Sequence, residues 1–434
     1  DRLYEQIHAT VARILNEFDN DISLFETLCE EFEQFLAREN RKSSLVEQRT
    51  RESERGRIKS QKAQVVLRGN VISTPGILPD NDCLQIELPE GAVLAPAFIH
   101  ANTGVGLTEV SLEGSTNDSS TGLSGDIHAA FSPFDGYNPR SSLIPIARLE
   151  GVGTVVVIPR SGLIAGQAAA FDLTGDTQAQ AVAKKDAAMV ANLGAPGGGS
   201  RADAFYRIRE VLDDASTYRR KKTAYEQGRL RELSASRLDL LALQRVVQGK
   251  TPLLVNANRA SEIEAVLRLA KELDLKLIIS GGSEAWMHAK ALADANVPVM
   301  VDPMQYGVQG FASIHARPDN AALLEKAGVK VILMHQRFES HNARKLRQAA
   351  GNAVREGMSH QGAIDAISTN VAEAFGLRHH GRLDPGSVAN VVAWSGDPLE
   401  ISSQPLYIWI QGKQIPLTSR QTHLLEKYRT LKSE

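Results

Sequence analysis

Two hydrophobic rhythms run along the chain, and the change from one to the other divides it. In residues 1–64 apolar side chains recur at helical spacing: Ile7, Val11, Ile14, Leu15 and Phe18, then Phe25, Leu28, Phe32, Phe35 and Leu36. Residues three and four apart share one face of a helix, so each run predicts an amphipathic helix. Asp19, Asn20 and Asp21 lie between the runs and are residues that cap or break a helix, which predicts a helical hairpin. From Arg38 to Lys62, Arg and Glu interleave with almost no apolar residue, the pattern of an exposed charged arm.

From Val65 short β-type runs take over. Val65–Leu67, Val71–Ile72 and Leu84–Leu88 are separated by Gly, Pro, Asn and Asp, the residues of turns. Strand candidates then follow at Val93–Ile99, Thr154–Ile158, Leu253–Asn256, Leu275–Ser280, Val297–Val301 and Val329–Met334. Amphipathic helices lie between them, notably Ser261–Leu273 and Glu284–Ala295. Apolar strands alternating with such helices predict parallel βαβ units, and this many in one run predict a (β/α)8 TIM barrel over an open sheet. Gly194–Ser200 reads as a loop, followed by a charged helical insertion to about Arg245. Residues 387–415 return to β character, with Val388–Trp394 and Leu406–Gln411, and residues 416–434 predict a C-terminal helix. The implied organisation is 1–64 helical hairpin and arm, 65–95 and 387–415 two β segments, and 96–386 barrel.

Composition narrows the function class. The chain has 49 basic and 51 acidic residues, a formal net charge of -2, so no excess of positive charge points to nucleic acid. Its apolar stretches are strand-length, which excludes a membrane-spanning helix from the reading. Cys29 and Cys83 are its two cysteines, too few for a disulfide framework or a cysteine zinc site. No export signal is legible, and the expectation is a cytoplasmic protein with the periplasm as the alternative.

The stretch Leu94-Ala95-Pro96-Ala97-Phe98-Ile99-His100-Ala101-Asn102-Thr103-Gly104 resembles the first barrel strand of the amidohydrolase superfamily, and more narrowly its imidazolonepropionase-like branch. The other end agrees. Residues 366–377, AISTNVAEAFGL, are similar to the helix after the family's last strand, and residues 381–394, GRLDPGSVANVVAW, to the segment that follows, with Ser395–Leu399 continuing the match. Together with NANRASEI at 256–263 and GGSEAW at 281–286, the resemblance covers about residues 66–415. It implies a TIM barrel with a small composite β-sandwich, here carrying an N-terminal helical appendage. The appendage is itself similar to part of an uncharacterised bacterial helical family unrelated to the rest.

The resemblance also implies a metal-activated water attacking a carbon–nitrogen bond. Its ligands would be two His on the first strand, one His each on strands five and six, and an Asp on strand eight. In this chain Asn102 and Gly104 fall on the first-strand positions, Asn256 (with Asn258 beside it) on the fifth and Gly281 on the sixth. The strand-eight acid maps near Met334-His335-Gln336, where no acid occurs before Glu339. Glycine has no side-chain donor, and an asparagine amide is a weak neutral ligand. The former metal-site positions are thus Asn102, Gly104, Asn256, Gly281 and His335, and no metal is expected unless zinc is held by a site rebuilt around His100 and His335.

What remains is expected to be a polar pocket at the barrel mouth, with His100, Asn258 and Ser280 as candidate lining. Ser283 and Glu284 read as helix-capping residues. His128, His315, His341, His360, His379 and His380 fall in predicted loops or helices and are expected at the surface or at caps. The function read from this pattern is a non-catalytic binding or assembly protein with an amidohydrolase-like barrel. The alternative is an active hydrolase of non-peptide carbon–nitrogen bonds in a small amide or cyclic amide. Expected partners are a small polar ligand, a protein engaged by the N-terminal helices, and a second copy in a homo-oligomer, with neither nucleic acid nor membrane.

Overall fold

The computed structural model describes residues 64–74, 84–122, 124–194, 199–305, 307–308, 310–335 and 340–429. The predicted N-terminal hairpin and charged arm lie outside them. The chain divides into two units at Lys62/Ala63, and the account below concerns the second.

Fourteen strands are described. They are β1 (Val66–Arg68), β2 (Val71–Ser73), β3 (Val93–Pro96), β4 (Phe98–Thr103), β5 (Val152–Val157), β6 (Ile164–Asp172), β7 (Val182–Asn192), β8 (Leu253–Ala257), β9 (Leu277–Gly281), β10 (Val299–Val301), β11 (Val331–Leu333), β12 (Val391–Trp394), β13 (Pro405–Ile410) and β14 (Lys413–Gln414). Strands β4 to β11 form one eight-stranded sheet in sequence order, with helices on its outside. Its inner face is a separate apolar cluster that includes Ile99, Ala101, Val156, Leu254, Ile278, Met300 and Ile332. The period-2 alternation of each strand therefore sends one set of side chains into the barrel and the other against the helices.

Three details depart from the pattern read along the chain. Strands β6 and β7 escaped the periodicity, because they are rich in Ala and lack the β-branched runs that mark the other strands. β6 also runs antiparallel to both of its neighbours, so the barrel is not built of parallel units throughout. The run Val93–Ile99 is not one strand. It breaks at Ala97, with β3 joining the small four-stranded sheet β14-β13-β12-β3 and β4 opening the barrel.

The seam between β11 and β4 is closed by other means. Ile99 N–H donates to Ile367 O at 2.8 Å, and Asn370 Nδ2 donates to Val331 O at 2.8 Å. The turn between the helices His360–Ala366 and Thr369–Ala374, together with the start of the second helix, thus satisfies backbone groups on both edges, which a barrel cannot leave bare in its core. Val371, Ala372 and Phe375 plug the same interior.

The small sheets carry their own links to the barrel. β3 pairs with β12, and Trp394 on β12 is fully buried against Phe98 of β4 at a ring-centroid distance of 5.7 Å. The helix at the C-terminal end spans Arg420–Arg429. Among the described residues, no helix is long and apolar enough to cross a membrane.

Candidate functional site

Ligand sites of barrels lie at the C-terminal ends of the parallel strands, where loops can vary without disturbing the core. On β4 that end carries Asn102, in the left-handed region at φ 64, followed by Thr103 and Gly104. Asn102 Nδ2 reaches Met334 Sδ at 3.5 Å, bringing the first strand to the last. His335 follows Met334 and is buried, its Nδ1 3.7 Å from Asp302 Oδ1 just past β10. That separation is an ion-pair distance and too long for a hydrogen bond.

Asp302 is the residue that reading the sequence missed. It follows a three-residue strand in Val-Met-Val-Asp-Pro, and an acid before proline at a strand end is equally a turn signal. Its Oδ1 also accepts from the backbone N–H of Met304 at 2.9 Å.

His100 is buried in β4. Its Nδ1 lies 2.8 Å from Ala101 O, an acceptor, so Nδ1 carries the proton and Nε2 presents a lone pair. Among the described residues Nε2 has no hydrogen-bond partner, and the same holds for His335 Nδ1 and Ser340 Oγ. Burial, reinforced by the proximity of His335, depresses the His100 pKa to about 4 despite the opposing pull of its own backbone contact and of Asp302. The ring is neutral at physiological pH.

The fifth and sixth strands converge on one another. Asn256 and Ser280 are register partners, and Ala257 pairs with Gly281. Gly281 adopts φ +94, and a Cβ there would stand 2.4 Å from Asn258 Oδ1 and 3.2 Å from Asn256 Oδ1. Asn258 Oδ1 in turn accepts from Ser283 Oγ at 2.9 Å. At Gly104 a Cβ would meet Ser340 Oγ at 2.6 Å, Thr108 Oγ1 at 3.2 Å and an Arg160 guanidinium nitrogen at 3.3 Å. Neighbouring polar side chains therefore fill the room beside both glycines.

Glu284 is committed to backbone donors. Its two carboxylate oxygens accept from Ala260 N at 2.9 Å and from His315 N at 3.1 Å. It caps the first turn of the helix Ala260–Glu272 and ties down the loop after β10, which is capping of a neighbouring helix and not of its own. His380, expected at the surface or at a cap, is buried and paired with Asp172, because the sequence could not reveal that the end of β6 lies against it.

A shallow polar cleft lies beside these residues, lined among others by Gly281, Ser283, Asp302, Gln305, Arg317 and Asn320. Among the described residues, no group of three His, Cys, Asp or Glu side chains is arranged to hold a metal ion.

No family model matches the chain. Among curated proteins it is similar to the amidohydrolase tasK of Hapsidospora irregularis, 29% identical over a stretch covering 31% of this chain and 17% of that protein. The match thus spans less than a fifth of the curated relative's length. Among solved structures it is similar to an amidohydrolase from Thermotoga maritima MSB8, with a TM-score of 0.73, 24% identity, and coverage of 81% of this chain and 94% of that one. The chain has the amidohydrolase fold. The resemblance carried by the two ends of the sequence is found again in the course of the backbone.

Proposed function

We propose that this barrel is a binding module derived from a metal-dependent amidohydrolase, holding a small polar ligand at its mouth without metal-assisted hydrolysis. The packing around Gly281 carries the reading. A side chain able to ligate a metal there would need space that Asn258 and Asn256 occupy, on a backbone at φ +94 that favours glycine. Asn102 and Asn256 offer neutral amides, and Gly104 and Gly281 offer no side chain, so the donor set lacks the charge that stabilises zinc. The residues at the family's ligand positions do not fit the group.

A second reading, a hydrolase acting on a small amide without the ancestral metal, is favoured by one observation: the juxtaposition of His335 with Asp302. A histidine beside a carboxylate is a usable general base when it can reach the substrate. Elemental analysis of the purified protein, before and after incubation with zinc or manganese, separates the readings. We expect less than a tenth of an equivalent of metal after dialysis and no change in thermal stability on adding it. Near-stoichiometric metal surviving dialysis would overturn the binding-module reading. Turnover of a small amide by metal-free protein would instead favour the second.

A further inference from the structure

The segment that leaves β10 has an unusual composition. Residues 303–316 contain no Asp, Glu, Lys or Arg, although 23% of the chain is charged. Large apolar side chains face solvent there: Phe311 is 82% exposed, Val308 62% and Ile314 48%. Met287, in the 3-10 turn Ala285–His288 after β9, is 39% exposed. Single exposed apolar residues are ordinary, whereas several on one edge, with the charges depleted, have the composition of an interface core.

Hydrogen bonds hold these side chains outward. Glu284 Oε1 accepts from His315 N at 3.1 Å, and Trp286 Nε1 donates to His315 O at 3.0 Å. Both backbone groups of His315 are thus fastened to the segment after β9. Met287 and Ile314 each lie one residue from the second of these bonds, which puts the two exposed side chains on adjoining stretches of chain. Ser313 N–H and Ser313 Oγ both donate to Gly310 O, at 3.0 and 3.3 Å, and Ser313 is buried. The turn Phe311–Ser313 is therefore closed by its own bonds, with the serine inside and the phenylalanine ring outside.

Charge indicates what covers this edge. Anionic lipid or nucleic acid is drawn by Lys and Arg, and residues 303–316 have neither. Beside them Arg317 is bidentate to Asp319, with both N···O distances 2.7 Å, and Lys290 pairs with Asp294 at 2.8 Å. Those charges are matched within the chain, which leaves little for a charged partner to read. A twofold axis sets equivalent surfaces face to face, and an uncharged apolar patch meets its duplicate without repulsion.

We propose that two copies of this chain associate about a twofold axis through the segment after β10, with Phe311 as the central anchor and Val308, Ile314 and Met287 around it. Gln305, Ala316 and Arg317 of the same segment line the cleft at the mouth, so the contact borders that cleft. The association does not require a ligand at the mouth, and failure of either proposal leaves the other standing.

Sedimentation equilibrium of the full chain, for wild type, Phe311→Asp and Ile401→Asp, tests the contact. Ile401, between β12 and β13, is 70% exposed and serves as the control. Wild type should dimerise reversibly, and Phe311→Asp should raise the dimer dissociation constant by about thirtyfold or more, as loss of an aromatic anchor does. Ile401→Asp should leave that constant unchanged, and both variants should keep the wild-type circular dichroism. Should Phe311→Asp fail to fold, hydrogen exchange of residues 305–316 in wild type provides the second measurement, with slower exchange expected as protein concentration rises. Wild type that stays monomeric, a dimer that survives Phe311→Asp, or exchange independent of concentration would overturn the inference. So would monomeric protein that binds anionic phospholipid vesicles through Phe311, which would assign the edge to a membrane surface instead.

Discussion

His380 Nε2 lies 3.2 Å from Asp172 Oδ1, and both side chains are buried where the barrel meets the small sheets. Asp172 ends β6 and gathers three more donors: Thr154 Oγ1 at 2.7 Å, Asn390 Nδ2 at 2.9 Å and Gln411 Nε2 at 2.9 Å. Thr154 belongs to the barrel, whereas Asn390 and Gln411 flank β12 and β13. One carboxylate thus fastens two structural layers, and a buried acid with four partners avoids the penalty an isolated one would incur.

This pair makes stability depend on pH in a definite direction. Burial alone would lower the His380 pKa, but the hydrogen bond and charge of Asp172 outweigh it and the net shift is upward. Burial alone would raise Asp172, and His380 with Gln411 and Thr154 outweighs that, so its net shift is downward. The histidine's contribution is complete below about pH 6.5 and is lost as pH rises through its folded-state value. The aspartate's is complete above about pH 4 and is lost as pH falls through its own. Chemical denaturation of wild type and His380→Gln across pH 5 to 9 should therefore converge toward alkaline pH, with the variant weaker by about 2–4 kcal/mol near pH 5.5. A difference that stayed constant with pH would contradict the ion pair.

His100 works in the opposite sense. Its pKa, lowered to about 4 by burial, means that the unfolded chain takes up a proton before the folded one does. Stability from this group is therefore lost as pH falls from about 6.5 toward 4, by about 3 kcal/mol in total. The His100 ring should show no protonation between pH 5.5 and 8 in an NMR titration. A midpoint near 6.5 would mean that the ring is solvated.

Gly281 should resist substitution. Alanine there places a Cβ 2.4 Å from Asn258 Oδ1 on a backbone at φ +94, and we expect a loss of about 2–3 kcal/mol in equilibrium unfolding. Gly281→His should be no less destabilised and should bind no zinc by elemental analysis. Combining it with Asn258→Gly, which removes the obstructing oxygen, should recover part of the stability. Full stability in Gly281→Ala would show that the mouth can rearrange, and the packing case against a metal would fail with it.

Arg347 provides a test of the outer packing. Its buried guanidinium donates to Glu150 Oε2 at 2.7 Å and Glu400 O at 2.7 Å and lies over the Trp394 ring at 5.3 Å. Arg347→Ala strands an acid and a carbonyl as well as removing the stacked group, and should cost about 3–5 kcal/mol. Arg347→Lys keeps the charge but loses the planar fork, and should fall between the two. Melting curves of the three proteins check the order.

The rhythm of apolar residues by itself determined the barrel class and the outer helices such as Ala260–Glu272, because strand and helix periods are local properties of the chain, whereas the small sheet built from both ends was legible only through the resemblance to the amidohydrolases. The residue types at 102, 104, 256 and 281 were likewise legible, and the flanking motifs placed them at strand ends. Strand β6 and its antiparallel direction were not, because Ala and Gly carry little β signal and strand direction depends on the path of the connecting loops. Nor was the role of Asp302 beside His335, the filling of the space at Gly281 by Asn258, or the burial of His380 against Asp172. In each of these the partners lie 23 to 208 residues apart, and only the closing of the sheet brings them within a few ångströms. Local sequence sets which groups a strand end offers; tertiary structure decides which of them meet, and so whether they hold a metal, a ligand or one another.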